Sequence, residues 1–463
     1  MSPRSAPAAV GPALPTAPSE LRPPPAGPGP AVRRWRRPTP AAAALLAASL
    51  AAWLWTLHAW GYAEGRLIDL HVYYAAGHAA PSLLYRGGFG PAHLPYIYPP
   101  AVARLFGAVP GFGAARALVL GGSVAVLVGV CRWSLRLAPE TPRALRLPLT
   151  LALSGVALWL EPVQATLMFG QVNLLLLGLV VFDAALPDRC RWKGLATGIA
   201  AGVKLTPALF AVFYAASGRR RTAARAFAGF AGTALLGLVL MPGASVRYWL
   251  DVLPSTSTLI DHRIGLAMVD DQSMTAMVLR LLDGTPFAHR LGTVLSILAA
   301  ALGVAVGVAA HRRGQRLAAV LAVGTASTLA SPIAWSHHWV WTVPGLVLVV
   351  ASAPGAARAL LARARVARPS VHRFAPPAIG LVLTAGYLLA YAAWPLRSRR
   401  FFQGRPWPAG LTWRLPHNHH AEYAWHGFQL LLGNLYPASA VLLLLGLPAG
   451  FACYGAWTQT RRR

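Results

Sequence analysis

The chain has 463 residues, of which 56% are hydrophobic and 12% are charged, and its mean hydropathy is +0.50. About a quarter of the residues in a soluble domain are charged, so this composition excludes a soluble globular protein. The formal net charge is +29, but the arginines form short clusters between apolar stretches and not one basic face, so no nucleic-acid partner is predicted.

Repeated apolar stretches dominate the chain. Their length, roughly 17 to 25 residues, is what a helix needs to cross the hydrocarbon core of a bilayer. We therefore predict an all-α, polytopic integral membrane protein, with roughly ten to thirteen transmembrane or re-entrant helices. Three cysteines without paired spacing indicate neither disulfides nor a cysteine-based metal site, and no metal or cofactor is predicted.

The first segment, 1–38, is rich in Pro, Ala and Gly and ends in an arginine cluster. This composition predicts a disordered tail. Because cytoplasmic segments carry the arginine excess, the tail is expected inside, and the apolar segment 40–59 then runs outward. No small-residue cleavage site accompanies that segment, so we expect it to be retained.

The later basic clusters define the direction of the remaining segments in the same way. They predict a multi-pass protein of the plasma membrane, with cytoplasmic N- and C-termini. A short dip into the membrane is also expected near 99–110. The predicted crossings are 40–59, 114–131, 147–160, 171–186, 223–242, 291–310, 317–331, 338–352, 377–396 and 435–457.

Segment 194–217 departs from this alternation. It is flanked by Lys193 and by Arg219, and Lys204 and Pro207 interrupt it. A single crossing would place one basic cluster outside. We therefore predict a broken, re-entrant hairpin, which is tolerated at membrane depth where protein or a cavity satisfies its backbone.

Three long segments are expected outside the membrane, and the polar motifs gather in or beside them: 60–98, 243–290 and 397–434. The predicted organisation is a cytoplasmic tail at 1–38, a transmembrane catalytic core at 39–350 and a C-terminal transmembrane region at 351–463. An active site facing the outside follows from this topology.

Asp69 follows the first apolar segment and is one of only 13 acidic residues. A carboxylate at this boundary predicts a general base that takes a proton from an acceptor hydroxyl. It is equally compatible with the N-cap of a helix beginning near residue 69. The two roles are not exclusive.

The sequence DDQS, residues 270–273, offers similar alternatives. Asp270 and Asp271 are suited to a cation or to sugar hydroxyls, whereas Asp271 or Ser273 would also cap the helix that follows. The spacing matches no calcium loop. Capping and substrate positioning are favoured over a metal.

Lys204 is one of only two lysines, and an ionisable group within an apolar segment is costly unless it is paired or faces a cavity. It is interpreted either as a phosphate ligand or as a structural, snorkelling lysine. His337 and His338 are interpreted as substrate contacts, with an interfacial aromatic belt as the alternative. Gln171 and Asn173 open a predicted helix on the outer side, where they would bind substrate or cap the helix.

The segment 397–434 carries arginines against the positive-inside trend, with Trp413 and His417 among its aromatic residues. One hypothesis is that it binds an anionic lipid or glycan acceptor. The other is an amphipathic segment that rests on the headgroups. The arginines are Arg397, Arg399, Arg400 and Arg405.

Taken together, these motifs resemble glycosyltransferase family 87, the polyprenol-phosphate-mannose-dependent α-(1→2)-mannosyltransferases of the GT-C fold, which include phosphatidylinositol mannoside mannosyltransferases. The resemblance covers about residues 40 to 350. It rests on Asp69 with Val72, Tyr73 and Tyr74, on YIYPP at 96–100, FGQVN at 169–173, GVKLTP at 202–207, DDQS at 270–273 and SPIAWSHH at 331–338.

The resemblance implies a metal-independent, inverting transfer of mannose from polyprenyl-phosphate-mannose to a lipid or glycan acceptor within the bilayer. Asp69 matches the family's proposed base. One departure is Asp271, where the family often has Asn, and it leaves the acceptor preference open. Donor or acceptor binding is expected from Tyr73, Tyr74, Tyr96, Tyr98, Gln171, Asn173, Lys204, Asp271, Gln272, His337 and His338.

Two other functions fit the membrane content. A transporter or flippase of lipids or lipid-linked sugars would also contain broken helices and an intramembrane cation, but it usually shows an internal repeat, and none is evident. A non-catalytic assembly protein would leave the clustering of polar motifs on one side unexplained. The mannosyltransferase is the favoured interpretation.

Overall fold

The computed structural model describes residues 38–59, 67–138, 141–263, 265–363, 369–393, 409–417 and 420–460. The predicted tail up to residue 37 and the arginines Arg397, Arg399, Arg400 and Arg405 lie outside these ranges. The α-helices of the first half are α1 (Pro38–Ala59), α2 (Ile68–His78), α3 (Pro100–Gly107), α4 (Phe112–Leu137), α5 (Arg143–Ala157), α6 (Glu161–Phe169), α7 (Asn173–Ala185), α8 (Leu195–Val203), α9 (Leu209–Ala216) and α10 (Arg220–Leu240).

The second half of the described chain is also helical. Its α-helices are α11 (Pro242–Arg247), α12 (Leu253–Arg263), α13 (Met274–Leu281), α14 (Pro286–Arg312), α15 (Arg316–Leu329), α16 (Thr342–Arg363), α17 (Pro369–Tyr391), α18 (Phe428–Gly433) and α19 (Leu435–Thr460). Short 3-10 turns occur at Pro81–Leu83, Thr206–Ala208, Ser336–His338, Thr412–Arg414 and Ala421–Ala424, and a π-helical turn occurs at Tyr248–Val252. A small antiparallel hairpin pairs β1 (Gly88–Phe89) with β2 (Leu94–Pro95).

Four helices in the described ranges are long and apolar enough to cross a membrane, and shorter apolar helices accompany them. The four are Pro38–Thr56, Phe112–Leu137, Arg220–Leu240 and Pro286–Arg312. On α10, Leu235 and Val239 are exposed, as expected of side chains that face lipid. The helical membrane class is confirmed, while the total of ten to thirteen crossing or re-entrant helices stays a prediction.

The centre of the molecule is α15. Every residue from Leu317 to Leu329 is buried, because α14, α16, α9 and α19 surround the helix. A helix that is apolar all round is suited either to lipid or to the centre of a bundle, and here the neighbouring helices cover it. The loop that leaves this buried helix, residues 330–341, is exposed at Pro332 and largely buried from Ile333 onward.

The segment 194–217 folds back on itself, as the charges at its two ends predicted. Both ends meet the Asp183 carboxylate at the end of α7. Its oxygens accept hydrogen bonds from Gly194 N (2.8 Å), Thr197 Oγ1 (2.7 Å) and Tyr214 Oη (3.3 Å). Helices α8 and α9 are thus the two arms of a hairpin.

Small residues let the first arm of this hairpin approach α10 closely. A Cβ atom added to Gly198 would lie 2.0 Å from the carbonyl oxygen of Ala226. The backbone then breaks at the extended residue Lys204 (φ −149°, ψ 126°), and the 3-10 turn containing Pro207 starts the return. Because Pro lacks an N–H, it cannot continue the helical hydrogen bonding at this point. Lys204 lies at the tip.

Candidate active site

Asp69 lies in the first turn of α2 and does not cap the helix. Leu67 occupies the N-cap position, and no side chain caps the helix end by a hydrogen bond. The Asp69 side chain is half-buried. Desolvation raises the pKa of its carboxyl from 3.8 to about 6, although a hydrogen bond from Gln171 and the charge of Lys204 oppose the shift. A carboxyl group with this pKa is largely deprotonated at neutral pH and still basic enough to accept a proton.

Two tyrosines orient the side-chain amide of Gln171 toward Asp69. Its Oε1 atom accepts hydrogen bonds from the hydroxyls of Tyr73 (2.7 Å) and Tyr98 (3.3 Å). Because both donors occupy the carbonyl side of the amide, the Nε2 group is left to donate to the Asp69 carboxylate. Gly170, with φ +68°, ends α6 and sets the backbone of Gln171, whose N–H donates to Thr166 O (2.9 Å).

Lys204 reaches the same place from the tip of the hairpin. Its Nζ atom donates to Asn173 Oδ1 (3.0 Å) and lies 2.8 Å from His338 Nε2. The ammonium is also 5.8 Å from the ring centre of Tyr98. Because a lysine ammonium has no acceptor, the His338 Nε2 atom accepts the hydrogen bond from Lys204 Nζ.

The turn that carries both histidines is tied to α6 and α7. The backbone carbonyl of His337 accepts hydrogen bonds from Asn173 Nδ2 and Thr166 Oγ1, each 3.0 Å long. Neither nitrogen of the His337 imidazole has a hydrogen-bond partner among the described residues, and the ring packs against Phe169 and His338. A buried imidazole of this kind is available to a substrate.

A cleft is lined in part by these groups. Its polar lining includes Asn173, Lys204 and His338, together with hydroxyls of α15 and the loop that follows it. Its apolar wall is formed by Leu176, Leu177, Val180, Val340 and Trp341. The arrangement suits a ligand with an anionic head and an apolar chain, because the cation and the apolar surface share one space.

A comparison with known proteins identifies the family of this chain. The model of glycosyltransferase family 87 matches residues 96–332. The chain belongs to this family. Asp69 and the two histidines lie outside the matched range, on either side of it, whereas Lys204 lies inside it. No solved structure matches the chain significantly.

Curated relatives of this family 87 glycosyltransferase carry informative names. A polyprenol-phosphate-mannose-dependent alpha-(1-2)-phosphatidylinositol mannoside mannosyltransferase of Mycobacterium tuberculosis (strain H37Rv) is 33% identical over 326 residues, 64% of this chain and 75% of the relative. The corresponding phosphatidylinositol pentamannoside mannosyltransferase of M. tuberculosis (strain CDC 1551) is 32% identical over 408 residues, 80% and 90% of the two chains. The resemblance predicted from the motifs is confirmed, and a transporter is not favoured.

Two of the predicted tyrosines in this glycosyltransferase lie apart from Asp69. Tyr74 contacts His78 and Phe112 on another side of α2. Tyr96 is buried behind Tyr98, with its ring centre 6.1 Å away, and donates to Pro99 O. The structure gathers the other predicted residues of the first half near Lys204: Asp69, Tyr73, Tyr98, Gln171 and Asn173.

The DDQS sequence of the glycosyltransferase supports the histidine loop instead of lining the cleft. Ser273 is the N-cap of α13, and its Oγ accepts from Ala276 N (3.0 Å). Asp271 Oδ1 accepts from Ala334 N (3.0 Å), and the Gln272 backbone N–H donates to Ala334 O (2.8 Å).

Desolvation raises the pKa of Asp270 to about 7 and that of Asp271 to about 6. In the described residues, no group of three His, Cys, Asp or Glu side chains is arranged to hold a metal.

Glu161 is a functional candidate that the sequence analysis missed. It begins α6, it is completely buried, and its carboxylate contacts Ser336 and Tyr436. The available signal was the rarity of acidic residues, since Glu161 directly follows an apolar stretch in a chain with only 13 of them. Arg280, also buried, donates to Asn434 and to Asp271 O and was missed as well.

Proposed function

We propose that this glycosyltransferase moves mannose from polyprenyl-phosphate-mannose to a hydroxyl of a phosphatidylinositol mannoside or a related glycan, forming an α-(1→2) linkage with inversion. The activities for which the relatives are named support this donor, this linkage and this acceptor class. The observation that carries the proposal is geometric: a half-buried carboxylate, Asp69, shares a site with the Lys204–His338 pair.

In the proposed reaction the acceptor oxygen attacks C1 of the β-mannosyl phosphate from the face opposite the phosphate. Asp69 takes the hydroxyl proton as the new C–O bond forms. The bond from C1 to the phosphate oxygen breaks, and its electron pair leaves with polyprenyl phosphate. Attack from the opposite face turns the β-linked donor into an α-linked product.

Charge accumulates on the departing phosphate, and Lys204 with His338 would stabilise it. Preorganised donors aimed at a developing anion contribute strongly in a site that excludes water. Asn173 supports this role, because its Oδ1 atom fixes the lysine ammonium. Phosphate binding is therefore preferred over a purely structural role for Lys204.

The apolar wall of the cleft would receive the first isoprene units of the donor. Leu176, Leu177 and Val180 follow Asn173 along α7, so the apolar surface begins beside the phosphate position. The basic loops support cytoplasmic termini and an active site open to the outer leaflet. A hairpin that enters from the cytoplasmic side would then present Lys204 at the level of the donor phosphate.

The test is transfer of radiolabelled mannose from polyprenyl-phosphate-mannose to phosphatidylinositol mannosides by purified protein in detergent. Asp69→Asn should retain the fold and lower kcat by roughly a hundredfold to ten thousandfold, the usual contribution of a general base. Tyr74→Phe is the matched control, since it alters the same helix away from Asp69.

Three outcomes separate the possibilities. Labelled α-(1→2) product from wild type and its near loss in Asp69→Asn support the reaction and the base together. Transfer that survives the substitution keeps the enzyme and removes Asp69 as its base. Failure of the folded wild type to transfer mannose to several lipid and glycan acceptors would contradict the proposed function.

A further inference from the structure

Ser336 is held by two buried acids from different parts of the chain. Its hydroxyl donates to Glu161 Oε1 (2.8 Å), and its backbone N–H donates to Asp270 Oδ1 (3.1 Å). Ser336 and Glu161 are fully buried or nearly so, and Asp270 is 7% exposed. Because its hydroxyl and its backbone N–H are both hydrogen-bonded in the core, the position of Ser336 is closely defined.

The other oxygen of Glu161 is occupied by the C-terminal part of the chain. Tyr436, in α19, donates its hydroxyl to Glu161 Oε2. Trp413 also lies beside this carboxylate. Glu161 therefore joins α6, the histidine loop and α19, although Tyr436 lies beyond the 96–332 range that the family model matches.

Ser336 starts the 3-10 turn that ends at His338. His338 meets Lys204 two residues later along this turn, where its ring also packs against that of His337. Because a short turn transmits the position of its first residue to its last, a shift of Ser336 would displace the imidazole from the ammonium. Asn173 fixes the same turn at the His337 carbonyl.

We infer that Glu161, held by Tyr436, is a positioning residue that aligns the Lys204–His338 pair for the donor phosphate. The inference rests on the proposed function, which gives that pair its ligand. It assigns the C-terminal helix a part in donor binding, where the sequence carried no recognisable motif. Glu161 acts through Ser336 and would not touch the substrate itself.

The test compares Glu161→Gln, Tyr436→Phe and the double variant in full-length protein. The donor KM in mannosyl transfer and the Kd for polyprenyl phosphate are both measured, together with the acceptor KM and the melting temperature. Tyr391→Phe is the matched control, because Tyr391 is buried against Tyr436 and bonds Ser439 on the same helix without contacting Glu161.

Loss of a hydrogen bond to a charged group corresponds to roughly tenfold in an equilibrium constant. We expect Glu161→Gln to raise the donor KM and the Kd for polyprenyl phosphate by about tenfold, with the acceptor KM unchanged. Tyr436→Phe should do the same to a smaller extent, and the double variant should be little worse than Glu161→Gln, since both act through one carboxylate. Tyr391→Phe should stay within about twofold of wild type in both constants.

A merely structural role gives a different pattern. If Glu161→Gln and Tyr436→Phe lower the melting temperature as Tyr391→Phe does, yet leave the donor KM and the Kd for polyprenyl phosphate unchanged, the positioning role is wrong while the proposed function stands. A wild type that neither binds polyprenyl phosphate nor transfers mannose would overturn both.

Discussion

The ammonium of Lys204 lies 2.8 Å from Nε2 of His338, although 134 residues separate them in the chain. This contact joins the tip of a broken hairpin to the loop that leaves the buried helix α15. Each partner alone would be a costly polar group deep in an apolar bundle. Together they form a cationic, hydrogen-bonding site that faces a cleft with an apolar wall.

Replacement of Lys204 by Met should lower kcat/KM for the donor by roughly a hundredfold to a thousandfold, the usual effect of removing one donor to a developing anion. Because the Lys204 charge lowers the pKa of Asp69, the acid limb of the pH–rate profile should also move above pH 6. Steady-state kinetics between pH 5 and pH 8 measures both effects.

Lys193→Met is the control for that experiment. Lys193 is the other lysine of the chain, and it binds Asp188 (2.8 Å) and the carbonyl end of α7, away from the cleft. Its loss should lower stability without moving the acid limb. An unchanged pH profile in Lys204→Met would show that the ammonium does not act on Asp69.

The tyrosines that orient Gln171 should control the pKa of Asp69. Tyr73→Phe removes the 2.7 Å hydrogen bond to Oε1, which frees the amide to turn and to stop donating to the carboxylate. Loss of that donor raises the pKa of Asp69 above about 6, so activity should begin to fall at a higher pH as the solution is acidified. We expect an upward shift of roughly half to one pH unit, measured in kcat/KM against pH.

Two neighbouring substitutions calibrate this shift. Tyr98→Phe removes the longer 3.3 Å bond and should give a smaller shift, while Tyr74→Phe should give none. Equal profiles for Tyr73→Phe and Tyr74→Phe would contradict the assigned orientation of the Gln171 amide.

Asp270→Asn should stabilise the protein at alkaline pH. The pKa of Asp270 is about 7 in the folded protein against 3.8 for the free side chain, because burial disfavours the charged form. The free energy of unfolding therefore falls as the pH rises from 3.8 to 7, and the full loss is present above pH 7. Asn keeps an oxygen for Ser336 N and carries no charge. The gain over wild type should be about 3 kcal/mol larger at pH 8 than at pH 5, because about 1.4 kcal/mol is lost per pH unit between pH 5 and the folded-state pKa.

Thermal unfolding in detergent at the two pH values checks this expectation. The Asp271→Asn variant provides a comparison, since its pKa of about 6 predicts a smaller difference over the same interval. A variant that is destabilised more at pH 8 than at pH 5 would mean that Asp270 is paired favourably when charged.

The features that the sequence predicted well are local ones. Apolar length gives the helices, and the basic residues at both ends of 194–217 give the hairpin, because each depends on neighbouring residues alone. The sequence analysis placed Tyr73 and Tyr74 together in the site, although the period of a helix was enough to separate them. Residues four apart share a face, so Tyr73 lies with Asp69 and Tyr74 points elsewhere.

The features that could not be predicted depend on contacts across long sequence separations. Glu161 meets Ser336 over 175 residues and Tyr436 over 275. The apolar stretch before Glu161 marks it as unusual, but nothing in the local sequence identifies Ser336 or Tyr436 as its partners. The same limit applies to Asp271, whose partner at Ala334 N is 63 residues away, while Ser273 is the N-cap of the helix that follows.

The hairpin that delivers Lys204 depends on close backbone contact, and Gly198→Ala tests it. A Cβ at this position would lie 2.0 Å from Ala226 O, so α8 must move away from α10 and carry the hairpin tip with it. Overpacking of this kind costs roughly 1 to 3 kcal/mol. We expect a lower melting temperature together with a raised donor KM.

Gly232→Ala, in α10 itself, is the matched control, because its added Cβ meets nothing within 4 Å. It should leave the donor KM unchanged and raise helix stability slightly, since Ala is favoured over Gly within a helix. Equal donor KM values in the two variants would mean that Lys204 keeps its position without the close packing of α8 on α10.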